Sequence, residues 1–246
     1  MDTLHLCGGI NPVDNKVSYE LATQEDNSNK PNRVKGGINI QSIGTHSKFW
    51  AQHRTLKIGY FSKHTQLMKF IETALKLWTP HINLNIKFVE KVEEADIRIS
   101  FSSKTSGHWS YVGTDALSVP SNQATMHFDL NAKFLTEHWI ATILHEFGHA
   151  FGLEHEHQHP EANIDWNTPA VYRECEKQLG WPKEKTYFNI FKKNDKSKST
   201  TAPYDPKSIM HYGFSKAFIW NKIDMPFNFS LTEKDINFIS SIYPKK

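Results

Sequence analysis

The sequence predicts an α+β domain, and three observations carry that expectation. Short β-branched runs recur through the first half, two long segments place apolar residues at helical spacing, and the final third loses regular pattern. TLKIGYF, from Thr55 to Phe61, suits a first strand, so the domain is expected to begin near Phe49 or Trp50. From His64 to Trp78, Leu67, Phe70, Ile71, Ala74, Leu75 and Trp78 define one buried helical face, and Pro80 lies just past the end. LNIKFVE and ADIRISF supply two further strands across the acidic link from Lys91 to Glu94. Between Ser102 and Asn122 the chain is rich in Ser, Gly and Thr, but WSYVGTDAL reads as a short exposed strand, and TMHFDL (Thr125 to Leu130) returns to strand pattern. EHWIATILHEFGHAFG, from Glu137 to Gly152, reads as a buried helix whose polar side is left for chemistry. Beyond it come loops and short helices, closed by LTEKDINFISSIY with Ser230 or Thr232 as its cap.

At 246 residues the chain is long enough for one large domain or two small ones. Residues 11 to 47 are polar and without useful periodicity, which assigns residues 1–47 to a tail or pro-segment and residues 48–246 to the folded domain. The 29 basic residues nearly balance the 26 acidic ones, too mild a surplus for nucleic-acid binding, and no nucleic-acid motif is present. Cys7 and Cys175 cannot form a disulfide framework. The N-terminus lacks the features of a secretory signal, and no uncharged apolar run approaches the roughly 18 residues of a membrane span. A leaderless soluble chain is expected, with export or delivery to another cell favoured over a cytoplasmic role. The 14 histidines stand out, because imidazole is the commonest metal ligand.

Their placement is more informative than their number. His145 and His149 are four apart on the predicted helix, which stacks both imidazoles on one face where they can share a metal. Glu146 projects beside them and can take a proton from a water that the metal activates. The full string is HEFGHAFGLEH. A continuing helix would carry His155 about 9 Å along the axis from His149, out of bonding reach. The helix must therefore break, and Gly152 is the residue able to take a left-handed conformation and fold His155 back. Three neutral imidazoles with an open position describe one catalytic Zn2+ rather than a structural one.

Downstream, SIMHY follows a turn signal at Tyr204–Pro206. HExxHxxGxxH followed by a Met-containing turn resembles the metzincin metallopeptidases, and Tyr212, two residues after Met210, makes the resemblance one to the astacin-like branch. It extends from about Phe49 to Tyr243 and implies a zinc endopeptidase; the chain departs from the family in lacking its usual disulfide cysteines, which reads as a divergent, disulfide-poor, bacterial-type member. The implied fold has a twisted, mostly parallel five-stranded sheet with an antiparallel edge strand, two long helices, an upper part at 48–152 and an irregular lower part at 153–246. By the same resemblance Met210 forms a floor under the zinc, Tyr212 is a catalytic residue and possible additional ligand, and Glu156 helps anchor a mature N-terminus. HQHPEANIDWN replaces the family's arginine-and-aspartate run after that glutamate. His157 and His159 are expected at the surface or just behind the ligands.

The implied substrate is a protein or peptide held in extended form along a strand edge, with Trp109, Ser110 and Tyr111 as the binding residues and TMHFDL as the other candidate edge. Glu146 would act as base and then acid, and the enzyme is expected to be a monomer. Cys7 offers a thiolate that can cap the zinc, as in matrixins, and Lys216 or Lys222 can favour acidic residues after the scissile bond. The rival readings are a zinc-containing peptide-binding module with little catalysis and a deamidase-type hydrolase using the same ligands.

Overall fold

The computed structural model describes residues 12–30, 46–133, 135–194 and 203–245. In chain order its main elements are α1 (Asn15–Glu25), β1 (Thr55–Tyr60), α2 (Thr65–Trp78), β2 (Asn85–Phe88), β3 (Ile97–Ser102), β4 (Trp109–Ser110), β5 (Met126–Asp129), α3 (Thr136–Ala150), α4 (Thr168–Leu179), α5 (Lys183–Thr186) and α6 (Glu233–Ile242). The sheet order is β2-β1-β3-β5-β4. The first four strands in that order run parallel, and β4 is antiparallel to β5 at one edge. This is the expected sheet, and it settles the edge: β5 is an interior strand and β4 an edge strand.

Burial explains the pattern. Leu56 and Ile58 on β1 point into the core while Thr55 and Lys57 are exposed, and α2 buries Leu67, Ile71, Ala74, Leu75 and Trp78. His64 caps α2 by accepting the Leu67 N–H on Nδ1 at 3.3 Å. In α3, eleven of fifteen residues are buried, so its histidines and Glu146 lie inside the molecule. Thr232 rather than Ser230 caps α6, in a reciprocal capping box with Asp235. On central β3, Arg98 is buried and donates to the carbonyls of Ala95, Val119 and Gln123 at 2.7–3.0 Å. A buried cation so satisfied fixes the loop between β4 and β5 against the sheet.

The end of α3 is held from distant parts of the chain. The Trp50 indole N–H donates to the Ala150 carbonyl at 2.7 Å, and the Tyr243 hydroxyl donates to the Phe151 carbonyl at 2.8 Å while accepting the Trp50 N–H at 3.0 Å. These bonds supply partners for carbonyls that a helix end leaves open.

The sequence reading requires one correction. Residues 11–47 carry no useful periodicity, yet Asn15–Glu25 form a helix, capped by the Asp14 carboxylate on the N–H groups of Lys16 and Val17. Only the small residues Ser18 and Ala22 are buried in it, so no apolar stripe marks it. Its attachment is polar. Ser18 Oγ lies 2.5 Å from Asp115 Oδ1 and 2.8 Å from His46 Nε2, and Lys48 Nζ lies 2.7 Å from Asp115 Oδ2. At the other end Glu25 and Asp96 flank the Arg54 guanidinium at 2.9 and 2.8 Å. Asn29 binds the Phe49 backbone through both its N–H and C=O. Cys7 lies outside the described residues.

Asp115 is the hub of this attachment, with a side chain 6% exposed against 20% for Lys48. Asp115→Ala should leave the Lys48 ammonium half-desolvated without its counter-charge and cost about 3 kcal/mol. Urea titration would show it as a lower midpoint at unchanged slope.

Candidate metal centre

His145 and His149 project from the last two turns of α3 and are 7% and 2% exposed. The helix stops where the third histidine must return. Gly152 has φ +100°, its N–H donates to the His149 carbonyl at 2.8 Å, and the Leu153 N–H donates to Gly148 at 3.0 Å. A Cβ at Gly152 would stand 2.6 Å from the Phe49 ring, so both conformation and space call for glycine. The reversed chain brings His155 beside the other two, and one ring nitrogen from each of the three lies within 4.8 Å of the others.

Backbone carbonyls set the tautomers. His145 Nδ1 is 2.8 Å from the Ile209 carbonyl oxygen and His149 Nδ1 is 2.8 Å from that of Leu153, so in both rings Nδ1 carries the proton and Nε2 keeps its lone pair. His145 Nε2 is buried with no hydrogen-bond partner, and His149 Nε2 faces His155 Nε2 at 3.0 Å. Burial depresses the His145 pKa to about 3, helped by the adjacent His149, and that of His149 to about 4; His155 is also held well below its ordinary value by burial. Three neutral imidazoles with converging lone pairs, one of them orphaned, fit a divalent zinc ion. Among the described residues this is the only such cluster.

Glu146 is 1% exposed on α3 between the two helical histidines. Tyr212 is 3% exposed, its ring centroid 4.3 Å from that of His155 and 5.6 Å from that of His145. Met210 lies below α3, where a Cβ on Gly148 would collide with its Sδ. Three hydrogen bonds hold that loop. Ser208 Oγ and the Ile209 N–H donate to the Asp235 carboxylate at 2.5 and 3.0 Å, and the Glu156 N–H donates to the Met210 carbonyl at 3.0 Å. Glu156 Oε1 accepts the Asp205 N–H at 2.7 Å, and burial pushes this carboxyl up to about 7. Glu156 thus ties the third histidine's segment to the Met210 loop and lines a cavity of about 110 Å³ with Lys48, Gly152 and Met210.

Ser110 is buried in β4, and half-buried Trp109 packs edge-on to Tyr111 and within the same apolar cluster as Tyr212. The candidate strand edge and the metal centre therefore share one body of packing.

A family profile described as Astacin, a peptidase family, matches residues 42–225. The chain belongs to the astacin family. It is a zinc metalloendopeptidase working with one catalytic zinc ion. A solved structure of myroilysin superimposes with a TM-score of 0.75 at 32% identity, covering 81% of this chain and 97% of that one. A second myroilysin structure gives 0.64 at 28%, over 89% and 96%. High choriolytic enzyme 1, a hatching enzyme zinc-protease from the medaka fish Oryzias latipes, gives 0.55 at 20%, over 86% and 99%, which extends the fold likeness alone.

Sequence reasoning found Gly152 but missed other parts of this astacin site that act by space or by burial. Gly148 sits at an unspecified position of HExxH, yet its missing Cβ is what admits Met210. His157, expected at the surface or just behind the ligands, is fully buried next to Tyr212. Lys216 opens the short helical turn 216–218, and Lys222 is exposed with φ +58°. Gly148→Ala should cost roughly 1–3 kcal/mol by overpacking. Most of that cost should vanish in Gly148→Ala/Met210→Ala, although Met210→Ala alone destabilises; a thermodynamic cycle from denaturation curves measures the coupling.

Proposed function

We propose that His145, His149 and His155 hold the zinc and that Glu146 moves the proton during hydrolysis of internal peptide bonds in extended protein substrates. The observation that carries this reading is the convergence of three imidazoles, two of them with free nitrogens set by carbonyl bonds, with a buried carboxylate on the helix that carries those two. Zinc supplies Lewis acidity, which makes water nucleophilic near neutral pH and polarises a carbonyl. Glu146 accepts the proton of the attacking water and returns it to the leaving amine. Tyr212 offers a hydroxyl donor to the substrate carbonyl oxygen as charge develops there. Met210 supports the helix that carries two of the ligands.

Trp109, Ser110 and Tyr111 hold the substrate, whose main chain extends the sheet along the open side of β4. The peptide-binding module without catalysis is not favoured, since the family is one of peptidases and Glu146 is present. Lys216 and Lys222 belong to the segment that pairs Phe214 with Met225, beside the Tyr212 cluster, where they favour acidic residues after the scissile bond.

Glu146→Gln should retain zinc and lose about 10²–10⁴ in kcat. Incubating wild type and this variant with peptides from denatured proteins, and reading new termini by mass spectrometry, checks the assignment. New termini from wild type alone support it, equal cleavage by both removes Glu146 from the mechanism, and side-chain deamidation without new termini indicates a different hydrolase. The same profile shows whether Asp and Glu are enriched after the cut. Chelation of zinc should abolish cleavage and lower the denaturation midpoint, with both restored by added zinc.

A further inference from the structure

His157 has no part in the reading above, although it is fully buried two residues beyond His155. Its Nε2 lies 3.0 Å from the Asn189 carbonyl oxygen, so Nε2 carries the proton and the ring is pinned to the π-helical turn Tyr187–Phe191. That turn is braced in its own right, by Asn189 Nδ2 donating to the Lys185 carbonyl at 2.8 Å. The other nitrogen, Nδ1, is buried and has no hydrogen-bond partner. A ring serving packing alone would be better apolar, because an imidazole here leaves a polar atom unsatisfied. What the imidazole adds is a fixed orientation.

The face so fixed lies against Tyr212. The two ring centroids are 4.6 Å apart with planes 25° from parallel, a flatter contact than that between Tyr212 and His155, whose centroids are 4.3 Å apart at 46°. Phe214 packs edge-on to both rings, at 5.4 Å from His157 and 5.9 Å from Tyr212, which closes another side of the pair. Neither His155 nor Phe214 is a stacked, hydrogen-bonded plate on the phenol; His145 is one, held by the Ile209 carbonyl at 23° to Tyr212, but its centroid is 5.6 Å away against 4.6 Å for His157.

We propose that His157 is a positioning residue for the reaction: held by the Asn189 carbonyl, its ring fixes the plane of Tyr212 beside the three-histidine cluster. The inference rests on the reading of Tyr212 as a donor to the substrate, and it assigns His157 no contact with substrate or metal. An aromatic ring that can rock presents its hydroxyl in the productive place for only part of the time, and misplacement by about 1 Å can cost a hundredfold in rate. The loss should therefore fall on kcat and leave KM and zinc content alone.

The test is a cycle on the zinc-loaded full chain: wild type, His157→Leu, Tyr212→Phe and the double variant, with zinc per chain, kcat and KM measured on one peptide from the cleavage profile. His157→Leu should lower kcat about tenfold, with KM within about twofold and full zinc. In the Tyr212→Phe background, where no hydroxyl remains to place, the same change should lower kcat by less than about twofold. Equal fold-losses in both backgrounds, or loss of zinc from His157→Leu, would overturn the inference and leave Tyr212's role intact. A wild-type kcat for Tyr212→Phe would remove the reading of Tyr212, and this inference with it. If His157→Leu does not fold, His157→Phe goes through the same cycle. It keeps the stacked ring and loses the bond to Asn189, so a loss of about threefold that disappears with Tyr212→Phe is expected, and an equal loss in both backgrounds overturns the inference.

Discussion

The structure depends on how α3 ends. A buried helix that stops leaves carbonyls without partners, and here the chain must also reverse within two residues to return His155. Trp50 and Tyr243 supply the donors, and Gly152 supplies the left-handed backbone. The crowding is mutual. Lys48 and Phe49 run so close to Gly113 and Gly152 that a side chain at either glycine would strike them, and the Thr114 N–H bonds to the Lys48 carbonyl. The segment at Lys48 and Phe49, the turn at Gly113 and the end of α3 are thus locked at the point from which the third histidine departs.

Around the site the protein orients side chains with backbone carbonyls more than with carboxylates. Ile209, Leu153 and Asn189 each receive an imidazole proton, which fixes the free nitrogen of His145 and His149 and the ring plane of His157. Because Ile209 and Leu153 lie in irregular segments, those segments must themselves be anchored. Asp235 does this for the Met210 loop with the carboxylate that also caps α6, so one side chain serves a helix start and the loop that holds the His145 ring. The irregular lower half is therefore not loosely built. Its order comes from particular hydrogen bonds instead of from ladders.

These two kinds of order explain what could be read in the sequence. The sheet, α2 and α3 announce themselves by period, because their core faces are made of Leu, Ile, Phe and Trp. The ligand set is legible from spacing, since four residues make one helical turn and Gly152 marks the break. Features resting on small or polar residues leave no such trace. α1 buries Ser18 and Ala22 and is attached by an ion pair and a hydrogen bond to residues far along the chain. The burial of His157 depends on Asn189, 32 positions away, and the need for Gly148 depends on where Met210's sulfur falls. Such contacts are decided by the assembled fold, and no local pattern encodes them.

The bond between Trp50 and Tyr243 joins residues 193 positions apart. During synthesis at about 5–20 residues per second, the segment that ends α3 waits on the order of ten seconds or more after Phe151 is made before Tyr243 can reach it. Until then the helix carrying His145 and His149 lacks its final hydrogen-bond donor, so a nascent chain holds the complete HEFGHAFGLEH string well before it holds a finished site.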